Sequence, residues 1–105
     1  MAIKNVVGGP AEDLLKKSNT FVLDVRTKEE FATGALPGAV LIPIDQLQNN
    51  TDKFPPDKQT PILIYCAHGV RSLFGASFLE RTGFTNVYNL QGGIAAHQFE
   101  ISKRK

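Results

Sequence analysis

Residues 66–72 read CAHGVRS, and Cys66 is the only cysteine in the chain. A thiol, an imidazole, a glycine, a guanidinium and a hydroxyl therefore fall within a few residues of one another. Such a set can do nucleophilic chemistry, because the reactive form of cysteine is the thiolate. Beside a cation or a helix N-terminus the thiol pKa drops to roughly 3.5–7.5, from about 8.5 when free. Arg71 carries a permanent charge on a planar fork that suits an oxyanion. His68 can add charge or a hydrogen bond, and Ser72 a hydroxyl donor. Each residue also has an ordinary reading. A free cysteine commonly serves as a small buried hydrophobe, a loop histidine is often a solvated side chain, a glycine a turn, and an arginine at a helix start a surface group.

The elements around the motif favour the chemical reading. Four apolar, β-branched runs bounded by turn residues predict strands: FVLDV (21–25), AVLIPI (39–44), PILIYC (61–66) and NVYNL (86–90). Near-continuous apolar runs suit strands covered on both faces, the habit of parallel sheets. IKNVV at the start is a further candidate for an edge strand. PAEDLLKK predicts a short helix with proline at its first position, acids in the first turn and lysines in the last. KEEFATG predicts one or two turns ended by Gly34. RSLFGASFLERTGF predicts the main helix, with Leu73, Ala76, Phe78 and Leu79 on its apolar face and Gly83 as a left-handed cap before Phe84. GGIAAHQFEISKRK predicts a final helix opened by two glycines, and NNTDKFPPDKQTP (49–61) a polar surface connection holding at most one helical turn. Strands alternating with helices predict an α/β domain with a mainly parallel central sheet of four to five strands, flanked by helices.

That architecture sets Cys66 at the carboxyl end of a central strand, where open α/β sheets bind ligands. Backbone N–H groups turned inward by a tight loop form an anion-binding nest, and the start of the next helix adds unpaired N–H groups and partial positive charge. Gly69, lacking Cβ, lets the loop curl. The combination, rather than any one residue, favours a nucleophile.

The rest of the chain narrows the field. With 105 residues, 42% hydrophobic and 21% charged, it has the composition of one folded domain, residues 1–105, whose last residues (101–105) read as a frayed basic tail. One cysteine allows no internal disulfide, which fits a reducing compartment. The N-terminus lacks the pattern of a secretory signal. The longest uncharged run, GALPGAVLIPI, is too short for a membrane helix and holds two prolines. A soluble, cytoplasmic protein is the expectation. A net charge of +2 without a basic stripe gives no support to nucleic-acid binding. His68 and His97 alone do not make a metal site, and no organic cofactor is suggested.

CAHGVRS, with four residues between Cys66 and Arg71, resembles the active-site loop of rhodanese-domain sulfurtransferases. LDVRTKEEFATGALPGAVLIPI (23–44) resembles the family's D-x-R…E-[FY]…G-H-I-P-G-A…N-I-P stretch, and LQGGIAAH (90–97) resembles its K-G-G signature followed by an aromatic residue. The matches occur in order across most of the chain. Two positions depart: Ala35 stands where histidine is usual and Ile94 where tryptophan is common. The resemblance implies a rhodanese-like three-layer domain that moves a sulfane sulfur from a small anionic donor such as thiosulfate to a thiophilic acceptor, either cyanide or a thiol. It implies Cys66 as nucleophile and persulfide carrier, and Ala67, His68, Gly69, Val70, Arg71 and Ser72 as the substrate-binding loop. Arg71 is expected to hold the anionic donor, with help from His68. Asp24 and Arg26 are candidates to support the site, although the simpler expectation for them is a turn and a surface pair with Glu29 or Glu30. Gly92 and Gly93 are expected to permit close packing before the last helix.

Three other readings use the same residues. A persulfide carrier or regulatory binding module would act on a protein partner, and a redox sensor would oxidise Cys66 reversibly. Phosphatase or arsenate-reductase chemistry is the third: the fold-related cell-cycle phosphatases have a loop one residue longer before arginine, which widens the cradle for a tetrahedral oxyanion. The loop here is shorter, and no second cysteine is present to resolve an arsenate-reductase disulfide.

Overall fold

The computed structural model describes residues 3–96. Five strands, β1 (Ile3–Val6), β2 (Phe21–Asp24), β3 (Val40–Leu41), β4 (Ile62–Tyr65) and β5 (Val87–Leu90), form one sheet in the order β1-β5-β4-β2-β3, every pairing parallel. Helices α1 (Gly8–Lys16), α2 (Lys28–Ala32) and α3 (Val70–Arg81) and two 3-10 segments, Ile44–Lys53 and Ile94–Ala96, complete the described chain. The α/β expectation holds, with IKNVV supplying the β1 edge.

Central position explains the composition of β4. All four of its residues are buried, and successive side chains enter opposite cores, as the two-residue period of a strand requires. Ile62 and Ile64 join Ala76 and Leu79 of α3 with Leu47 and Phe54 on one face. Leu63 and Tyr65 join Ala11 and Leu14 of α1 with Leu36 on the other. The sheet thus lies between two layers.

Several local expectations change. The run 39–44 contributes only Val40–Leu41 as strand, because Pro43 caps the 3-10 segment that follows, although the Ile42 and Ile44 N–H groups still donate to the Asp24 and Val25 carbonyls. Helix α1 begins at Gly8, so Pro10 is its third residue, where the N–H has no intrahelical acceptor to lose. Glu12 and Asp13 consequently sit beyond the first turn, while Lys16 keeps its place in the last. The polar connection is more ordered than its composition suggests. Ile44–Lys53 is two 3-10 helices meeting at Asn50, pinned by buried Leu47, and buried Phe54 follows, edge-on to Phe78 and Phe84.

Helix α3 is rotated from the expected face. Ser72, Gly75, Ala76 and Leu79 are buried, whereas Leu73 is 43% and Phe74 70% exposed. Small residues face the sheet because the helix packs close: a Cβ on Gly75 would lie 2.6 Å from Ile64 Cδ1. Gly83 takes the expected left-handed conformation, φ +106°, and Phe84 is buried after it. Of the expected final helix, Ile94–Ala96 forms one 3-10 turn; its remainder, including His97, and the basic tail lie outside the described residues.

Candidate active site

Strands β2 and β4 end side by side, with Asp24 opposite Tyr65 in register. Cys66 leaves β4 at this edge, and the chain then turns through Ala67, His68 and Gly69 into α3. Gly69 stands at the N-cap with φ +95°. A side chain there would be strained, and its Cβ would meet the Gly92 nitrogen at 2.9 Å. The loop is held from outside by the turn after β5: Ile94 N–H donates to the Cys66 carbonyl and Ala95 N–H to the Ala67 carbonyl, each at 3.0 Å. Gly93, φ +70°, lies against the Ala67 carbonyl so closely that a Cβ has no room. The two glycines therefore pack against the cysteine loop itself.

Within the loop the sulfur is the focus. Gly69 N–H donates to Cys66 Sγ at 3.0 Å and Ser72 N–H at 3.4 Å, with Ser72 Oγ also 3.4 Å away. Cys66 is buried, and burial, the largest single influence, pushes its thiol up. The hydrogen bonds that a thiolate accepts from the Ser72 hydroxyl and from the N–H groups of Ser72, Gly69 and His68 together outweigh burial, leaving the pKa below the ordinary cysteine value. The cradle exists, and it is built from the backbone at 68, 69 and 72.

The loop side chains are arranged less simply. His68 is exposed, and its N–H rather than its imidazole faces the sulfur. Val70, 63% exposed, opens α3. Arg71 is not an unengaged anion hook. Its Nη1 and Nη2 donate to Glu30 Oε1 and Oε2, both at 2.9 Å, on a half-buried ion pair. The Arg71 hydrogen bonds hold the Glu30 carboxyl down to about 2. Glu30 also closes the capping box of α2, accepting from Thr27 N–H while Thr27 Oγ1 accepts from Glu30 N–H. One short helix thus presents a rigid carboxylate to the cysteine loop.

Asp24 and Arg26 are a correction. They form no surface pair with Glu29 or Glu30, because both are buried and bonded to each other. Arg26 Nε lies 3.0 Å from each Asp24 oxygen, Nη2 2.7 Å from Oδ2, and the backbone N–H 2.9 Å from Oδ1. Nη2 also donates to the Gly34 carbonyl at 2.7 Å, and the guanidinium stacks 5.5 Å from the Tyr65 ring centre. Tyr65 in turn accepts from Leu36 N–H through its hydroxyl at 3.1 Å. This knot ties the 34–36 turn to the residue preceding Cys66, so Asp24 and Arg26 brace the site without lining it. Ala35 is wholly buried beside the knot, and Ile94 is partly buried beyond the loop.

Besides Glu30 as the partner of Arg71, one further member of the site is not named by the sequence. Asn89, 2% exposed, accepts from Ser72 Oγ through Oδ1 at 2.5 Å. Its signal was a polar residue interrupting the apolar alternation of a covered strand. Among the described residues no group of three or more His, Cys, Asp or Glu side chains could hold a metal ion, and no helix is long and apolar enough to cross a membrane.

Comparison with known proteins agrees with this geometry. The model of the rhodanese-like domain matches residues 10–99. The chain is 32% identical to thiosulfate sulfurtransferase GlpE of Pseudoalteromonas translucida over 107 aligned positions, covering 99% of this chain and 97% of that protein. It is 37% identical to the uncharacterized protein YqhL of Bacillus subtilis over 84 positions, 80% of this chain, and spans 65% of that protein's length. A crystal structure of a rhodanese-like domain protein from Staphylococcus aureus superposes with a TM-score of 0.81 at 33% identity, covering 97% of this chain and 99% of that one. A parallel five-stranded sheet with a cysteine loop at its carboxyl edge, matched along nearly its whole length, places this chain in the rhodanese-like domain family.

Proposed function

We propose that the chain is a sulfurtransferase that carries a sulfane sulfur on Cys66. The Cys66 thiolate attacks the outer sulfur of thiosulfate or a similar donor. A new S–S bond forms, the donor S–S bond breaks, and sulfite departs with its electron pair. The product is a Cys66 persulfide. A thiophilic acceptor, cyanide or a thiolate, then attacks the outer sulfur and returns Cys66 to the thiolate, dividing one transfer into two displacements. The observation that carries this reading is the set of backbone N–H donors around Sγ, from His68, Gly69 and Ser72. Fixed donors of this kind stabilise negative sulfur without reorganising during the reaction.

Ala67 and Val70 shape the loop, while Arg71 meets the anionic donor in competition with Glu30. A reducing cytoplasm would keep Cys66 free for this cycle. The test is thiocyanate formation from thiosulfate and cyanide. The chain should turn over, and Cys66→Ala, with its thermal unfolding unchanged, should not. Turnover retained by Cys66→Ala would overturn the mechanism, and hydrolysis of a phosphate monoester in place of sulfur transfer would overturn the substrate class.

A further inference from the structure

A chain of hydrogen bonds runs from the sulfur across the sheet. Cys66 Sγ donates to Ser72 Oγ at 3.4 Å, Ser72 Oγ donates to Asn89 Oδ1 at 2.5 Å, and Asn89 Nδ2 donates to Asn5 Oδ1 at 3.0 Å. Ser72 and Asn89 are both buried, and Asn5 stands on the exposed side of the β1 edge. While Cys66 is a thiol every group in this chain is satisfied, and the serine proton points away from the sulfur. A thiolate has no proton to donate, and it gains from accepting one. The Ser72 hydroxyl then has two acceptors and one hydrogen. If it turns to sulfur, Asn89 Oδ1 is left buried without a donor, which costs free energy. Turning the Asn89 carboxamide over would break its bond to Asn5 Oδ1 unless Asn5 turned with it.

We propose that Asn89 is a positioning residue that competes with the Cys66 sulfur for the Ser72 hydroxyl proton and thereby governs how readily the thiol becomes the nucleophile. The inference rests on the sulfurtransferase reading for its consequence, but the competition itself belongs to the thiol and is measurable without any donor. Other charged or titratable groups around the loop remain in place when Asn89 is changed. These are Arg71 of α3 with Glu30 of α2, the Asp24–Arg26 pair at the end of β2 and His68 in the loop. Lys4 of β1 lies over the Tyr88 ring at 5.4 Å. The Ile94–Ala96 turn carries no titratable side chain.

The experiment is the pH dependence of iodoacetamide alkylation of Cys66 in the full chain, with folding checked by thermal unfolding. Asn89→Leu leaves sulfur as the only acceptor for Ser72, so the alkylation midpoint should fall by about one pH unit, the worth of roughly one hydrogen bond. Asn89→Asp, nearly isosteric, supplies a stronger acceptor and a negative charge, so the midpoint should rise. In a Ser72→Ala background, Asn89→Leu should move nothing further. A midpoint unmoved or raised by Asn89→Leu, or an equal fall with Ser72 absent, would overturn the proposal. Should Asn89→Leu not fold, a fall or a null shift in Asn89→Asp would overturn it alone. Midpoints that move as expected in a chain that transfers no sulfur would uphold the competition and defeat the proposed function. Fixed midpoints in an active sulfurtransferase would do the reverse.

Discussion

Replacing Gly93 with alanine tests whether the turn after β5 dictates the shape of the cysteine loop. Two costs arise and can be separated. Gly93 has φ +70°, where a side chain costs about 1–2 kcal/mol. Its Cβ would also collide with the Ala67 carbonyl, a backbone group that cannot rotate aside. Restoring an ordinary carbon contact requires a shift of about 1 Å, in a loop whose N–H groups reach sulfur at 3.0 and 3.4 Å. Misplacement on that scale costs on the order of 100-fold in rate. Gly38 provides the control, since it has φ +75° with nothing within 4 Å of the Cβ position. Gly38→Ala should therefore lose stability alone, with Tm falling by about 4–8 °C per kcal/mol and sulfur transfer unchanged. Gly93→Ala should lose more stability and most of its thiocyanate formation from thiosulfate and cyanide. Wild-type turnover in Gly93→Ala, with a Tm loss equal to that of Gly38→Ala, would refute the idea that this contact sets the cradle.

Other substitutions address the charges. Glu30→Gln preserves the capping box, because glutamine can make the same reciprocal bond, yet it removes the carboxylate from Arg71. KM for an anionic donor should fall by about two- to five-fold, the scale of an exposed ion pair, with kcat little changed. An unaltered KM would show that Arg71 does not meet the donor. The same pair predicts acid behaviour. Glu30 protonates near 4.5 when unpaired and at about 2 when bonded to Arg71, so its stabilisation is complete above about pH 4.5 and is lost as pH falls from there to about 2. A Tm difference between wild type and Glu30→Gln that persists to pH 2 would contradict this. Asp24→Asn leaves the Arg26 guanidinium buried without its counter-charge and should destabilise by about 3–5 kcal/mol in denaturant unfolding. A loss under about 1 kcal/mol would mean that the knot is not under this constraint.

The sheet was legible because its strands are covered on both faces and so keep unbroken apolar runs. Helix α3 was legible in extent but not in orientation. Leu73 reads as core by hydrophobicity, yet close approach of the helix to Ile64 requires Gly75 and Ala76 inward and turns Leu73 outward. The cysteine loop could be read because glycine, thiol and arginine stand together in sequence. Its partners could not, since Glu30, Asn89 and Gly93 reach it only through the parallel crossovers. For Asp24 and Arg26 the sequence offers both a supporting role and a surface pair, because charge spacing carries no depth, and the adjacency of Asp24 to Tyr65 emerges only from strand register.

The most direct measurement is the intact mass of the reduced protein before and after thiosulfate, with Cys66→Ala alongside. The account predicts a gain of one sulfur atom on the wild type, removed by cyanide and absent from the variant. An unchanged mass across sulfane donors, in a folded protein whose thiol still alkylates, would contradict the assignment of Cys66 as a sulfur carrier.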